Sequence, residues 1–270
     1  MSSANEVFDN SDLAVDSGVD FSELNARFET ASPLEILRWA LETYGDKLTM
    51  ATAFGAEGCV LIAMLAGLRD ETGVAADIFT LDTGYQFPQT LALKSKLEKR
   101  YELSIRVIYP AETPAQAEAR LGGPPCLKEP DVCCYNRKVA PLAQALQGYD
   151  AYSTAVRRDQ TPERENIPII GFDPRHIIVK IAPLANWTKD DVWNYIREND
   201  VPTNILHEQG FASIGCWPVT RPVQDGEDER DGRWAGSEKR ECGLHLHSHL
   251  PVSGQSTPAQ SLNGHTSNSR

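Results

Sequence analysis

Short apolar segments alternate regularly with helical segments between residues 47 and 156 of this chain, which limits the folds that it can adopt. The apolar segments predict strands: "KLTMATAF", "AADIFTLD", "SIRVIYP" and "DAYSTAV". The segments between them predict helices: "GAEGCVLIAMLAGLRD", "FPQTLALKSKLEKRY" and "KVAPLAQALQG". Such alternation is typical of a parallel sheet with helices on both faces. We therefore expect an α/β fold, a parallel sheet flanked by helices, in which ligands bind beyond the carboxyl ends of the strands.

Two more segments carry clear signals for the start of a helix. "SPLEILRWALETYG" begins with Ser32 as its N-cap, and "NWTKDDVWNYIREND" contains the cap Thr188. The first of these helices is expected to bury a stripe of leucines, Leu34, Leu37 and Leu41. Both segments extend the α/β pattern along the chain.

Composition divides the chain into three parts. Residues 1–24 are polar and are expected to form an N-terminal extension, and residues 25–247 are expected to form the folded domain. Residues 248–270 have almost no large apolar side chain and are expected to be a disordered tail. Within the domain, residues 200–247 lose clear periodicity and predict loops.

The charge and the cysteine content argue against several classes of protein. The formal net charge is -12, which disfavours binding to nucleic acid or to an anionic membrane, so phosphate recognition needs a local cationic cluster. No apolar run approaches the roughly 20 residues of a membrane-spanning helix. The cysteines are irregularly spaced, unlike the disulfide framework of a secreted domain. We expect a soluble protein of a reducing compartment, the cytoplasm or the plastid stroma, which could form a homo-oligomer.

Three segments at the expected strand ends could bind an anion. In "TAFGAEG" a helix begins after Gly55, and its N-terminus offers backbone N–H groups to phosphate, although Gly55 and Gly58 could equally be turn residues. In "LDTGYQFP", Asp82 could accept from a ribose or a base, or could cap the turn. In "VRRDQTPERE", the guanidinium groups of Arg157 and Arg158 suit phosphate or sulfate, and a solvated loop with internal ion pairs is the alternative.

Cys242 is the candidate nucleophile. It stands in "SEKRECGLHLHSH", where Lys239 and Arg240 precede it and His245 follows. Positive neighbours favour the nucleophilic thiolate. The alternative is a structural cysteine, but the polar surroundings offer nothing that would bury it.

Several segments together resemble the sulfonucleotide reductases: "LDTGYQFPQT", "STAVRRDQTP", "LANWTKDDVWNYI", "LHEQGFASIGCWPVTRPV" and "RECGLHLH". This family reduces adenosine 5′-phosphosulfate (APS) or its 3′-phosphorylated form (PAPS) to sulfite. The resemblance extends from about residue 25 to residue 247. It implies an adenine nucleotide α-hydrolase-like, Rossmann-like fold, with the catalytic cysteine on a flexible C-terminal segment.

The resemblance also implies residue roles. Cys242 matches the cysteine that attacks the sulfate sulfur, releases AMP and becomes an S-sulfocysteine, from which thioredoxin or glutaredoxin with glutathione frees sulfite. The nucleotide loop and the ribose or base contact map to Thr52, Phe54, Gly55, Glu57, Asp82, Thr83 and Gly84. The contacts to the anionic groups map to Lys138, Arg157, Arg158 and Arg240. Arg221, close to Cys216, and Lys239 and His245, close to Cys242, are further candidates for substrate contacts. Ala53 stands where family members often have serine, which leaves Thr52 to supply a hydroxyl. No C-x-x-C redox module follows Cys242, so we expect the electron donor to be a separate protein.

The resemblance raises the question of a metal cofactor. APS-specific members hold a cubane iron-sulfur cluster with a Cys-Cys pair and a C-x-x-C pair. This chain has Cys133, Cys134 and Cys216 in those places, but Val219 stands at the fourth. Because valine cannot bind iron, we expect no cofactor unless Cys126 or an exogenous ligand completes the set. PAPS-specific members show "DTGYLFPET", close to "DTGYQFPQT" here, whereas the Cys-Cys pair before "NRKVAPL" is similar to the APS branch. We expect an APS reductase of a cluster-free type.

Three other functions stay open. The chain could be a PAPS reductase, which needs further cationic contacts for the 3′-phosphate. It could be an ATP-pyrophosphatase-type enzyme such as an adenylyltransferase subunit, but that reaction predicts a fuller phosphate loop than "TAFGAEG" and gives Cys242 no role. It could also be a zinc-binding or redox-sensing protein that uses Cys133, Cys134, Cys216 and a histidine.

Overall fold

The structure is a computed structural model, and it describes residues 21–234 together with Lys239 and Leu244. Its strands are β1 Leu48–Thr52, β2 Asp77–Leu81, β3 Ile105–Ile108, β4 Ala151–Ser153, β5 Ile170–Asp173 and β6 Ile178–Ile181. Its α-helices are α1 Phe21–Phe28, α2 Pro33–Tyr44, α3 Ala56–Thr72, α4 Pro88–Tyr101, α5 Pro114–Leu121, α6 Pro125–Lys128, α7 Pro130–Cys134, α8 Ala140–Ala145 and α9 Lys189–Glu198. The predicted exchange of strands and helices is confirmed from β1 to β4.

The strands form one sheet in the order β3-β2-β1-β4-β6-β5. All neighbouring pairs are parallel except β5 and β6, which are antiparallel. The predicted parallel sheet is therefore confirmed with one difference at its edge. The difference has a simple cause, because only the four-residue turn 174–177 joins β5 to β6, and a parallel pair needs a crossover of a dozen residues or more.

Side chains alternate between the two faces of the sheet, as the period of a strand requires. On β2, Ile78 belongs to the large core with α1 to α4 and α9, whereas its neighbour Phe79 packs on the opposite face with Leu142 and Ala145 of α8. Helices thus cover both faces of the sheet. The same alternation explains why the strands read as continuous apolar runs in the sequence.

The helix starts follow the predicted caps, and one predicted burial is wrong. Ser32 caps α2, since its side chain accepts from the backbone N–H of Glu35. Leu37 and Leu41 are buried, but Leu34 is 38% exposed, because the buried face of α2 is turned toward Ile36 instead. Thr188 caps α9 in the same way as Ser32 caps α2.

The described core begins earlier than the predicted domain start at residue 25. Phe21 at the start of α1 is buried in the core. Asn25 of the same helix covers the edge strand β5, since its side-chain amide donates to the carbonyl of Ile170 at 2.6 Å and accepts from the N–H of Ile170 at 3.0 Å. The predicted flexible C-terminal segment and the 248–270 tail lie outside the described residues. None of the described helices is long and apolar enough to cross a membrane.

Candidate active site

A cavity of about 530 Å³ opens at the carboxyl ends of β1, β2 and β4. In the sheet, β2 lies on one side of β1 and β4 lies on the other, so the strand order reverses at β1. The carboxyl edge at this point is the topological switch point of the sheet. Thr52 at the end of β1, Thr83 after β2 and Thr154 after β4 line the inner wall. Residues 210–216 and 229–233 contribute to the outer wall.

The loop after β1 forms the floor of the cavity. The Thr52 hydroxyl accepts from the backbone N–H of Phe54 at 3.1 Å, so it is used within the loop itself. A Cβ at Gly58 would lie 2.7 Å from that hydroxyl, and the glycine therefore lets α3 start directly behind the strand. Gly55 and Glu57 line the cavity with Thr52, as predicted, and the N-terminus of α3 favours an anion there.

Phe54 is the exception in this loop. Its ring is 1% exposed and belongs to the core, and it does not line the cavity. Its backbone φ of 59° lies in the left-handed region, which turns the chain into α3 and sends the ring under the sheet edge. The loop therefore lies at the cavity, but the side chain of Phe54 does not line it.

In the segment after β2, Thr83 and Gln86 line the cavity. Asp82 caps its own turn, since its Oδ1 accepts from the backbone N–H of Gly84 at 2.8 Å. Gly84 has a φ of 74°, and a Cβ there would lie 2.4 Å from Cγ of Pro114. Neither Asp82 nor Gly84 lines the cavity. The structure therefore matches the capping alternative for Asp82 and not the predicted ribose or base contact.

Arg157 and Arg158 follow β4, and they point in different directions. Arg157 lines the cavity and is 1% exposed. Arg158 lies outside it and binds Glu29 at 2.6 Å and the carbonyl of Ile167 at 2.9 Å. The backbone of Arg157 is extended, and successive side chains of an extended segment face opposite sides. Of the two predicted anion contacts, Arg157 lines the cavity and Arg158 does not.

Two other predicted cations also lie outside the cavity. Arg221 forms a two-pronged ion pair with Glu227, with both contacts at 2.7 Å. Lys239 pairs with Asp131 and lies 5.7 Å from the ring centre of Trp234. Neither residue is among those that line the cavity.

The cavity nevertheless carries a marked excess of positive charge. Glu57 and Glu229 are the carboxylates among the described residues that line it. The cations are Lys138, Arg157, Arg164, Lys189, Arg230 and Arg233. Lys138 and Arg157 were predicted, and the other four were missed. Lys189 directly follows the predicted cap of α9. Arg230 and Arg233 lie in a segment without periodicity, where no local pattern indicates their position.

A glycine lets Arg233 reach the cavity wall. A Cβ at Gly215 would lie 2.1 Å from Nη2 of Arg233, so no other residue leaves room for the guanidinium in this position. The guanidinium also lies 4.6 Å from the ring centre of Trp234. This packing fixes a cation over the loop that carries Cys216.

Comparison with known proteins identifies the family. Residues 47–222 match the phosphoadenosine phosphosulfate reductase domain. The chain belongs to the phosphoadenosine phosphosulfate reductase family. It is 40% identical to the adenosine 5′-phosphosulfate reductase of Halalkalibacterium halodurans, over 84% of this chain and 97% of that protein. It is 43% identical to the phosphoadenosine 5′-phosphosulfate reductase of Gloeobacter violaceus, over 84% of this chain and 95% of that protein. The predicted family resemblance is thus confirmed.

Solved structures agree with the family and with the fold. The phosphoadenylyl-sulfate reductase of Candida auris, determined as a phosphate complex, is 32% identical, with a TM-score of 0.67 over 74% of this chain and 96% of that chain. The FMN adenylyltransferase of Candida glabrata has a TM-score of 0.53 at 16% identity, over 81% of this chain and 75% of that chain, and shows a shared fold alone. The predicted adenine nucleotide α-hydrolase-like fold is confirmed.

The cysteines that would bind a cluster in this reductase family do not form a four-thiolate set. Val219 packs against Cys134 and Trp234, so a hydrocarbon side chain occupies the fourth position. The Cys126 and Cys133 thiols share a hydrogen bond, which raises the pKa of Cys133 and lowers the pKa of Cys126. Within residues 21–234, no three Cys, His, Asp or Glu side chains are arranged to hold a metal ion. The cluster-free prediction stays a prediction, and no step below depends on a cluster.

The reductase nucleophile predicted from the sequence, Cys242, lies outside the described residues, as do Arg240 and His245. Leu244, two residues beyond Cys242, is described and lines the cavity. Its carbonyl accepts from Nη2 of Arg175 at 3.1 Å.

Proposed function

We propose that this chain reduces adenosine 5′-phosphosulfate to sulfite and AMP in assimilatory sulfate reduction. The proposal rests on the cavity cations, of which the described part of the chain supplies six against two carboxylates, in a protein whose formal net charge is -12. Such a local excess of positive charge attracts a phosphosulfate anion although the whole protein is acidic. The cavity lies at the switch point of the sheet, where nucleotides bind in open α/β folds.

Cys242 is the proposed nucleophile. Its thiolate attacks the sulfate sulfur, the bond between that sulfur and the bridging oxygen breaks, and AMP leaves with the bonding electrons. The product is an S-sulfocysteine on Cys242. The position of Leu244 supports this assignment, because two residues of chain span at most about 7 Å. The cations of the cavity would neutralise the repulsion between the thiolate and the sulfuryl group.

The electrons for the reduction come from a dithiol. One thiolate of the donor attacks the sulfur of Cys242, sulfite leaves, and the second donor thiol resolves the mixed disulfide to return the Cys242 thiol. The donor becomes a disulfide as the sulfate sulfur becomes sulfite. We propose thioredoxin, or glutaredoxin with glutathione, as the donor, in a reducing compartment such as the cytoplasm.

PAPS is the second candidate substrate. The Gloeobacter violaceus relative carries the name of a PAPS reductase at 43% identity. The surplus of cavity cations would also suit a 3′-phosphate. Sulfite release measured side by side with APS and PAPS separates the two substrates.

The test of the proposed function is the substitution Cys242→Ser. It removes the attacking sulfur, so sulfite release from APS with reduced thioredoxin should fall to background while AMP binding is kept. The control is Cys59→Ala, because Cys59 is a buried thiol of α3 that does not line the cavity. The control should keep most of the activity. Turnover by Cys242→Ser would refute the assigned nucleophile.

A further inference from the structure

A carboxylate of the protein itself lies between two cations of the cavity. Oε1 of Glu229 is 2.7 Å from Nζ of Lys189, and its Oε2 is 3.7 Å from Nη2 of Arg157. All three side chains line the cavity. Glu229 therefore occupies the kind of position that an anionic ligand would take.

Arg157 has carboxylates on every edge of its guanidinium. Its Nε donates to Oε1 of Glu57 at 3.0 Å, its Nη1 donates to Asp159, and its Nη2 faces Glu229. The side chain is almost wholly buried, so water does not take part in this arrangement to any large extent. An anionic ligand can bind Arg157 closely only if one of these carboxylates gives way.

Glu229 is the carboxylate that can give way most easily. Glu57 is fixed in the first turn of α3 and also accepts from the side chain of Gln160 at 3.0 Å. Asp159 also accepts from the backbone N–H of Lys189 at 3.1 Å. The contact from Glu229 to Arg157 is longer than the others, and residues 224–234 around it form no helix or strand.

We propose that Glu229 is a displaceable internal anion, which holds segment 224–234 against the cavity until phosphate oxygens of the substrate replace it on Arg157 and Lys189. The same segment carries Arg230 and Arg233, which also line the cavity. Anion binding is thereby coupled to the position of both arginines. This inference rests on the proposed function, because it needs an anionic nucleotide as the ligand.

The test compares Glu229→Gln with the wild-type protein. Glutamine keeps the shape of the side chain and removes the charge that competes with the ligand. The dissociation constants of AMP, adenosine 3′,5′-bisphosphate and adenosine are measured by titration calorimetry. We expect about fivefold tighter binding of AMP by the variant, the order by which a partly exposed ion pair shifts an equilibrium, and unchanged binding of adenosine.

The matched control is Glu227→Gln, two residues away in the same segment. Glu227 binds Arg221, and neither residue lines the cavity. This variant should bind AMP as the wild type does. Melting temperatures of both variants show that each is folded at the temperature of the titration.

The binding results distinguish the two phosphate groups that could displace Glu229. Tighter binding of both AMP and the bisphosphate by Glu229→Gln supports displacement by the 5′-phosphate, and tighter binding of the bisphosphate alone supports displacement by a 3′-phosphate. No gain for either ligand, or an equal gain for adenosine, overturns the proposal. If the wild-type protein bound none of the three, the proposed function itself would be contradicted, and the inference with it.

Discussion

Removal of Arg157 should destabilise the protein as well as the site. The substitution Arg157→Met keeps a long side chain but leaves three carboxylates without their shared cation. Their side chains are 18% exposed for Glu57, 41% for Asp159 and 31% for Glu229, against 1% for Arg157. Breaking a fully buried ion pair costs about 3–5 kcal/mol. Because these carboxylates are partly hydrated, we expect the lower end, about 3 kcal/mol.

The expected loss is large enough to measure by thermal unfolding. For a domain of this size, 1 kcal/mol corresponds to a shift of about 2–4 °C in melting temperature, so Arg157→Met should melt about 6–12 °C below the wild type. The assay is differential scanning calorimetry at pH 7 and moderate ionic strength. The variant Arg157→Lys keeps the positive charge but loses the planar guanidinium with its several donors, so its melting temperature should fall less than that of Arg157→Met.

A double substitution tests the electrostatic reason for the loss. If the cost arises from carboxylates without a counter-ion, Glu57→Gln in the Arg157→Met background should recover part of the stability. The reasoning would be refuted by a melting temperature of Arg157→Met within about 2 °C of the wild type. It would equally be refuted if the two substitutions destabilised the protein additively.

Three further substitutions test other parts of the structure. Burial acts to raise the pKa of Asp173, but hydrogen bonds and charge from Arg175 hold it at about 2. The stabilisation by the Asp173 carboxylate is therefore present above pH 4 and is lost as pH falls toward 2. In urea unfolding, Asp173→Asn should lower the unfolding free energy by about 2 kcal/mol at pH 7, and the difference between variant and wild type should become smaller in acid. Gly84→Ala should lower the unfolding free energy by about 2 kcal/mol, because φ is 74° and the new Cβ would meet Pro114; an unchanged melting temperature would contradict this. Val219→Cys should take up iron on anaerobic reconstitution with iron and sulfide while the wild type does not; equal uptake by both proteins would contradict the expectation that Val219 prevents cluster binding.

The fold was accessible from the sequence because its signals are local. The strands of a sheet that is covered on both sides are apolar throughout. Capping residues such as Ser32 and Thr188 mark where helices begin. Once the strands are assigned, the carboxyl ends of β1 and β4 must lie at one edge of the sheet. That argument correctly brought Thr52 and Arg157 to the cavity.

The rest of the site depends on tertiary packing that no local pattern encodes. The sequence offers Arg157 and Arg158 as equivalent anion ligands, and only the direction of the extended backbone after β4 decides which of them faces the cavity. Phe54 is similar, because its positive φ turns the ring into the core. Arg230 and Arg233 reach the cavity from a segment without regular structure, where spacing in the sequence predicts nothing about position.

We propose that this chain reduces APS with protein thiols and without an iron-sulfur cluster. This proposal is tested most directly on protein purified without oxygen, by iron and sulfide content together with sulfite release from APS in the presence of reduced thioredoxin. We expect sulfite release by protein that holds no stoichiometric iron. Stoichiometric iron and sulfide in the active protein, or no sulfite from APS, would contradict it.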